Sequence, residues 1–347
     1  MGALDGVRVL DLTWNLPGPY ATSILASMGA DVVKLEPPRG DPARHTEPLF
    51  SMLNAGKRSV MLDLRADLHR MQALVERADV LVEGFRPGVL ARLGCGPDVA
   101  RAWNPRLVWC SISAYGQDSP RSREPGHDLN AQALSGLSWL ERDAVGRPRE
   151  MVLPVADFSA AQAAVSAILA ALYARERTGE GAILDVAMTD AATTWARIWG
   201  QGVDLAGAAR RQPGAHLLGP LVRRLERVKL YALPSYGLFA CRDGLWLALG
   251  VVDEDAFWKA LCATLKIPGS ELKMPGRILL GPALKPLVAL RLRTHDRATW
   301  LARLAAAGVP ATPVLSHAPR DVVPGPGLGA HTAEVLAGWD LGDLRGS

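Results

Sequence analysis

The stretch "VRVLDLTWNLPGPYATSILASMGADVVKLE", residues 7–36, decides the fold. Two β-branched runs, 7–12 and 31–36, flank a segment whose apolar residues recur at helical spacing, 19–30. Strand, helix and strand in that order read as a βαβ unit, and its crossover makes the two strands parallel. The pattern continues outward: "SVMLDL" (59–64), "DVLVEGF" (79–85) and "RLVWCSIS" (106–113) add strands, and "LHRMQALVERA" (68–78) adds a helix. This alternation predicts an α/β domain with a parallel sheet covered on both faces. Ligands of such sheets gather at the carboxyl ends of the strands, where Asp11, Glu36, Asp63 and Glu83 fall. Each of the four also reads as a turn or capping carboxylate.

With 347 residues the chain exceeds what one core usually serves, so a second lobe is expected. The first 190 residues form the large domain. After Asp157, "FSAAQAAVSAILAALYARERTGEG" reads as one long Ala-rich helix that stops at Gly179. The texture changes near 191, and residues 191–225 read as a linker. "YGLFACRDGLWLALGVVDEDAFWKALCATL" (236–265) then reads as a hairpin turning at Asp243-Gly244 followed by a helix, within a smaller α+β domain over 226–310. Residues 311–347 are expected to return to the large domain.

Composition narrows the function classes. An apolar share of 49% against 21% charged residues describes a globular chain rather than a disordered one. The net charge of +4 permits an anionic ligand, but its clusters, "LVRRLERVK" and "RLRTHDR", lack aromatic interleaving and read as solvated helix faces rather than a nucleic-acid surface. No signal segment and no run of about 18 apolar residues is present, which predicts a soluble cytoplasmic protein without a membrane partner. The four cysteines include no C-x-x-C pair and read as reduced core residues.

Walker, G-x-S-x-G, H-E-x-x-H and dinucleotide fingerprints are all missing. Of seven histidines, His127 stands apart, because a Pro-Gly turn positions it and Asp128 follows it in "PGHDLNAQALSG" (125–136). Asp157, at the start of the Ala-rich helix, is the second candidate. It reads equally as an N-cap, since the free N–H groups and dipole of a helix start favour a carboxylate.

Several segments taken together change the weight of these residues. They are "VRVLDLTWNLPGPYATSILASMGADVVKLEPPRGD", "NAGKRSVMLDL", "ADVLVEGFRPGVLARLG", "NPRLVWCSISAYGQDSP", "GHDLNAQALSG", "ARERTGEGAILDVAMTDA", "YGLFACRDGLWLALG" and "AGVPATPVL". In this order they resemble CoA-transferase family III, the CaiB/BaiF group, which also contains α-methylacyl-CoA racemases. The resemblance implies a Rossmann-like large domain, a smaller domain and an interlocked homodimer. It also implies acyl-CoA thioesters as substrates and coenzyme A as part of the substrate, with no prosthetic group and no metal. Matched residue by residue, it places coenzyme A contacts at Leu62, Gly84, Phe85 and Arg92, with Arg39 and Lys57 as basic candidates for phosphate.

Two chemistries share the pattern. In transferases the residue matching Asp157 is the nucleophile that carries the acyl group and then coenzyme A. In racemases the same carboxylate and a histidine matching His127 form a two-base pair, with Asp128 following the histidine. An acid of the small domain near the histidine is matched by Asp253 or Glu254. The "GHD" and "LPGPY" segments resemble racemases more, so inversion of the α-carbon of a 2-methylacyl-CoA thioester is the first expectation. CoA transfer through Asp157 is the alternative, and a non-catalytic CoA-binding homologue a further one. Two departures stand out: Pro37 occupies a position that is often Arg in relatives, and only "HAPRDVVPGPG" separates "PVLS" from "LGAHTAEVL", where relatives carry a few dozen residues.

Overall fold

The computed structural model describes residues 2–141, 147–202, 233–316 and 321–339. The chain forms two compact units, 1–200 with 321–347, and 201–320.

In the first unit, six described strands form one parallel sheet: β1 (Arg8–Leu12), β2 (Asp31–Glu36), β3 (Arg58–Met61), β4 (Val80–Glu83), β5 (Val108–Ser113) and β6 (Ala182–Ala187). Their order, β3-β2-β1-β4-β5-β6, reverses direction between β1 and β4. That is the doubly wound order, and its reversal opens a crevice at the carboxyl ends of β1 and β4.

The β-branched runs are near-continuous because both faces are buried. Alternate residues enter separate cores. Val9, Val32, Val80, Val82, Val108 and Cys110 join one with the long helix Val155–Thr178. Leu10, Val33, Leu81, Leu107 and Trp109 join the other, with the helices Leu68–Val75 and Pro97–Trp103. The long helix is apolar enough in length and composition to cross a membrane. Here its Ala156, Ala160, Ala161, Ala164 and Ile168 are instead buried in the core. It ends at Gly179, whose φ of 75° lies in the left-handed region and whose N–H donates to the Arg175 carbonyl.

β6 had no counterpart among the five expected strands. Its "AILDVA" alternates half-buried and exposed residues before its last two residues become buried, as an edge strand does. The opposite edge, β3, is covered by the C-terminal segment: the His331 N–H donates to the Ser59 carbonyl, and the Met61 N–H donates to the Thr332 hydroxyl. Covering an edge removes unpaired backbone groups.

The second unit holds β7 (Tyr236–Ala240), β8 (Trp246–Gly250) and β9 (Ala311–Pro313) in an antiparallel sheet, with helices Asp255–Leu265, Gly281–Leu292 and Arg297–Ala306 around Trp258 and Trp300. The hairpin turns at Asp243-Gly244, where Gly244 has a φ of 75°.

Two expected boundaries shift. Residues 191–202 belong to the helix Met188–Gly202 rather than to a linker, because Ala192 and Ala196 pack into the sheet core. The remainder of the expected linker, 203–225, lies outside the described residues. Residues 311–313 pair with β8, so the segment that rejoins the first unit begins at 321, not 311.

Candidate functional site

Three loops leave the carboxyl ends of β1, β4 and β5 beside the strand-order reversal. Together with the start of the long helix they line a cavity of about 250 Å³. Thr13, Trp14 and Asn15 form one lip, Gly84, Phe85 and Arg86 the opposite one, and His127 and Asp157 lie on its wall. The ring of Trp14 meets Phe85 edge-on with centroids 5.4 Å apart, and the Arg39 guanidinium lies 5.2 Å from the Trp14 ring centre. Of the sequence-derived residues, the fold brings His127, Asp157, Gly84 and Phe85 to this cavity, with Arg39 at the indole that forms its lip.

Asp157 sits in the first turn of the long helix without capping it. The cap comes from Asp128, at the start of the helix Asp128–Ser135: its Oδ1 accepts the backbone N–H groups of Ala156 and Asp157 at 2.9 and 3.1 Å. Its Oδ2 accepts from the Gln132 amide. The Asp157 carboxyl consequently has no hydrogen-bond or ion-pair partner among the described residues. Burial, then the nearby Asp128 charge, push it up to about 7. One expectation is corrected here. Asp128 is not a group free for proton transfer, because both its oxygens are engaged in fixing the Asp157 helix. The N–H groups of Ala156 and Asp157 are likewise taken, and cannot serve as oxyanion donors.

His127 precedes that helix with extended backbone, its N–H donating to the Asn130 amide oxygen at 3.1 Å. Its imidazole is exposed toward the cavity it lines. Glu83, buried at the end of β4, accepts the Phe85 N–H at 2.8 Å and so shapes the second lip. Burial pushes its carboxyl up to about 7.

Lys57 is corrected as a phosphate contact. Its ammonium is fully buried and donates to Asp11, Thr22, Asn54 and the Pro19 carbonyl at 2.8–3.0 Å. Burial lowers it to about 8 against the pull of Asp11. Burial also pushes Asp11 up, but Lys57, Lys34 and the Thr13 and Thr22 hydroxyls outweigh it and hold the carboxyl far below the usual range. Leu62 is a core residue away from the cavity, with its N–H on the Glu36 carbonyl. Arg92 is exposed on the short helix Val89–Arg92 and is not among the lining residues.

Glu36 likewise receives Nε and Nη2 of Arg44 and the Ser59 hydroxyl, and Asp63 closes an exposed turn at Arg65. Asp253 and Glu254 belong to the second unit, before the helix Asp255–Leu265. There the Asp253 carbonyl accepts from Arg277 and the Glu254 carboxylate accepts the Val252 N–H. These are helix-start contacts. Residue-by-residue reasoning missed Trp14, Asn15, Arg86 and Tyr115; the signal that finds them is their place just after the ends of β1, β4 and β5.

The profile of CoA-transferase family III matches residues 4–330. The chain belongs to CoA-transferase family III. This family III chain is 35% identical over 98% of its length to a succinyl-CoA:mesaconate CoA-transferase of Haloarcula marismortui, covering 86% of that protein. It is 32% identical over 91% of its length to an acetyl-CoA:oxalate CoA-transferase of Acetobacter aceti, covering 82% of it. Among solved structures, a CAIB/BAIF family protein from Brucella suis superposes with a TM-score of 0.79 at 26% identity, over 98% of this chain and 100% of that one. The relatives are named transferases, so they favour the transferase alternative over the racemase expectation.

Proposed function

We propose that this family III protein moves coenzyme A from an acyl-CoA thioester to a carboxylic acid through a covalent intermediate on Asp157. The observation that carries the reading is the Asp157 carboxyl on the cavity wall, unpartnered among the described residues and held there by Asp128.

The ionised carboxylate attacks the thioester carbonyl, forming a mixed anhydride and releasing the coenzyme A thiolate. The thiolate then attacks the aspartyl carbonyl, which frees the donor acid and leaves coenzyme A on Asp157 as a thioester. The acceptor carboxylate attacks that thioester, and the expelled thiolate attacks the acceptor's carbonyl. Acyl-CoA product leaves and the Asp157 carboxylate is regenerated. Each bond formed replaces one of comparable energy, so no external energy source enters. Arg86 and Arg39 present guanidinium groups suited to the phosphates of coenzyme A. The relatives suggest succinyl-CoA and acetyl-CoA as donors to try, with mesaconate and oxalate as acceptors.

The racemase reading keeps one supporting observation, the presence of His127 on the same cavity wall as Asp157. Two bases on one cavity suit removal and return of an α-proton. Incubation of acyl-CoA in deuterated water, with and without an acceptor acid, separates the two. Transfer needs the acceptor and a trappable Asp157 adduct; acceptor-free deuterium uptake without an adduct overturns it.

The active protein is further proposed to be a cytoplasmic homodimer. Exposed Trp139, Trp195, Ile198 and Trp199 offer apolar surface of the kind that subunit contacts bury. Light scattering of the purified protein tests it, and a monomeric mass at micromolar concentration contradicts it.

A further inference from the structure

The lip of the cavity formed by Thr13, Trp14 and Asn15 is gripped from below by a fully buried ion pair. Lys34 Nζ lies 2.9 Å from Asp41 Oδ2 and donates at 2.8 Å to the Thr13 carbonyl. Asp41 Oδ1 accepts the Asn15 N–H at 3.2 Å and the Ala43 N–H at 2.8 Å. The two charges therefore hold the backbone on either side of Trp14. Asn15 has a φ of 62°, the left-handed region that a non-glycine residue keeps only when its surroundings hold it there.

Stability does not account for this pair. Removing two charges from water costs as much as their attraction returns, and a well-packed apolar pair would serve a core equally well. What an apolar pair could not do is bind a carbonyl on one side of Trp14 and an N–H on the other.

We infer that the Lys34–Asp41 pair is a positioning device for the coenzyme A pocket, setting Trp14 so that it bridges to Phe85 and provides the platform for Arg39. The inference rests on the proposed coenzyme A chemistry of this cavity. Neither residue touches the ligand; both act through Trp14.

The test measures calorimetric binding of free coenzyme A to the full chain, alongside thermal melting. Lys34→Met/Asp41→Asn neutralises the pair while keeping similar shapes, and is expected to weaken binding about tenfold, as misplacement of a binding group does. Trp14→Ala is expected to weaken binding comparably. In the Trp14→Ala background the double substitution should then cost no further affinity, although its effect on melting persists. A purely structural pair would lower melting and leave affinity intact in the wild-type background, and that result overturns the inference. So does full additivity with Trp14→Ala. If the double variant fails to fold, Asn15→Val decides: a β-branched residue disfavours the left-handed backbone that the pair imposes, so it should lose affinity in the unaltered background and cost nothing further in the Trp14→Ala background, whereas unchanged affinity or full additivity with Trp14→Ala refutes the positioning role. Absence of coenzyme A binding by the unaltered chain would remove the proposed function itself, and the inference with it. Normal binding by the unaltered chain with an unaffected double variant removes the inference alone.

Discussion

Asp128 binds the backbone N–H groups of Ala156 and Asp157 through a single carboxylate oxygen, at 2.9 and 3.1 Å. One acid thereby caps the helix on which the other stands. The cap leaves the Asp157 side chain facing the cavity, and its charge opposes ionisation of Asp157. Two adjacent carboxyl groups thus take different tasks because one is satisfied by backbone donors and the other is not.

Loss of the proposed nucleophile should remove group transfer while leaving coenzyme A binding. Asp157→Ala is expected to lower kcat by about 10³-fold or more, with dissociation constants for coenzyme A little changed. Hydroxylamine added during turnover should modify Asp157 in the unaltered protein alone, read by peptide mass.

The pH profile should report the same carboxyl. Because the proposed nucleophile must be ionised to attack and Asp157 lies near 7, kcat/KM is expected to rise with pH through about 7 and then level. Asp128→Asn keeps an oxygen to accept the two N–H groups but removes the opposing charge, so its rising limb should move to lower pH. A limb that stays in place would show that Asp128 does not act electrostatically on Asp157.

Stability should carry the opposite dependence. A carboxyl whose folded-state value lies above its unfolded one favours the folded state while protonated, and that advantage fades as pH rises from about 4 through 7. Asp157→Asn lacks the charge that appears on this rise. Its Tm minus that of the unaltered protein should therefore grow between pH 5 and pH 8, approaching a few degrees by the size of ordinary single-site effects. A constant difference across that range would contradict the raised value.

Lys57 and Arg86 should separate structure from binding. Lys57→Met leaves Asp11 buried without its ion-pair partner, and chemical denaturation should show a loss of roughly 3–5 kcal/mol. Arg86→Ala, at an exposed position on the cavity, should leave the denaturation midpoint unchanged and raise KM for the acyl-CoA several-fold.

The parallel sheet was legible in the sequence because its signal is local: Val9 and Leu10, or Val32 and Val33, are both apolar since each faces a different core. Gly179 likewise announced the end of the long helix. β6 escaped because "AILDVA" follows closely on the Gly179 stop of that helix. His127 was singled out by its Pro-Gly turn and Asp157 by its place at a helix start, the resemblance to family III added weight to both, and the fold places them on one cavity.

By itself, the sequence determined the alternation of strand and helix and the family, both carried by short motifs of neighbouring residues. Tertiary structure alone decided which charges are free. Lys57 reads as an open cation until Asp11, 46 residues away, is found against it, and Asp157 reads as a cap until Asp128, 29 residues earlier, is found holding its N–H. The reason is physical: periodicity is written in the spacing of residues along the backbone, whereas the availability of a charge depends on which distant groups packing brings within hydrogen-bond reach.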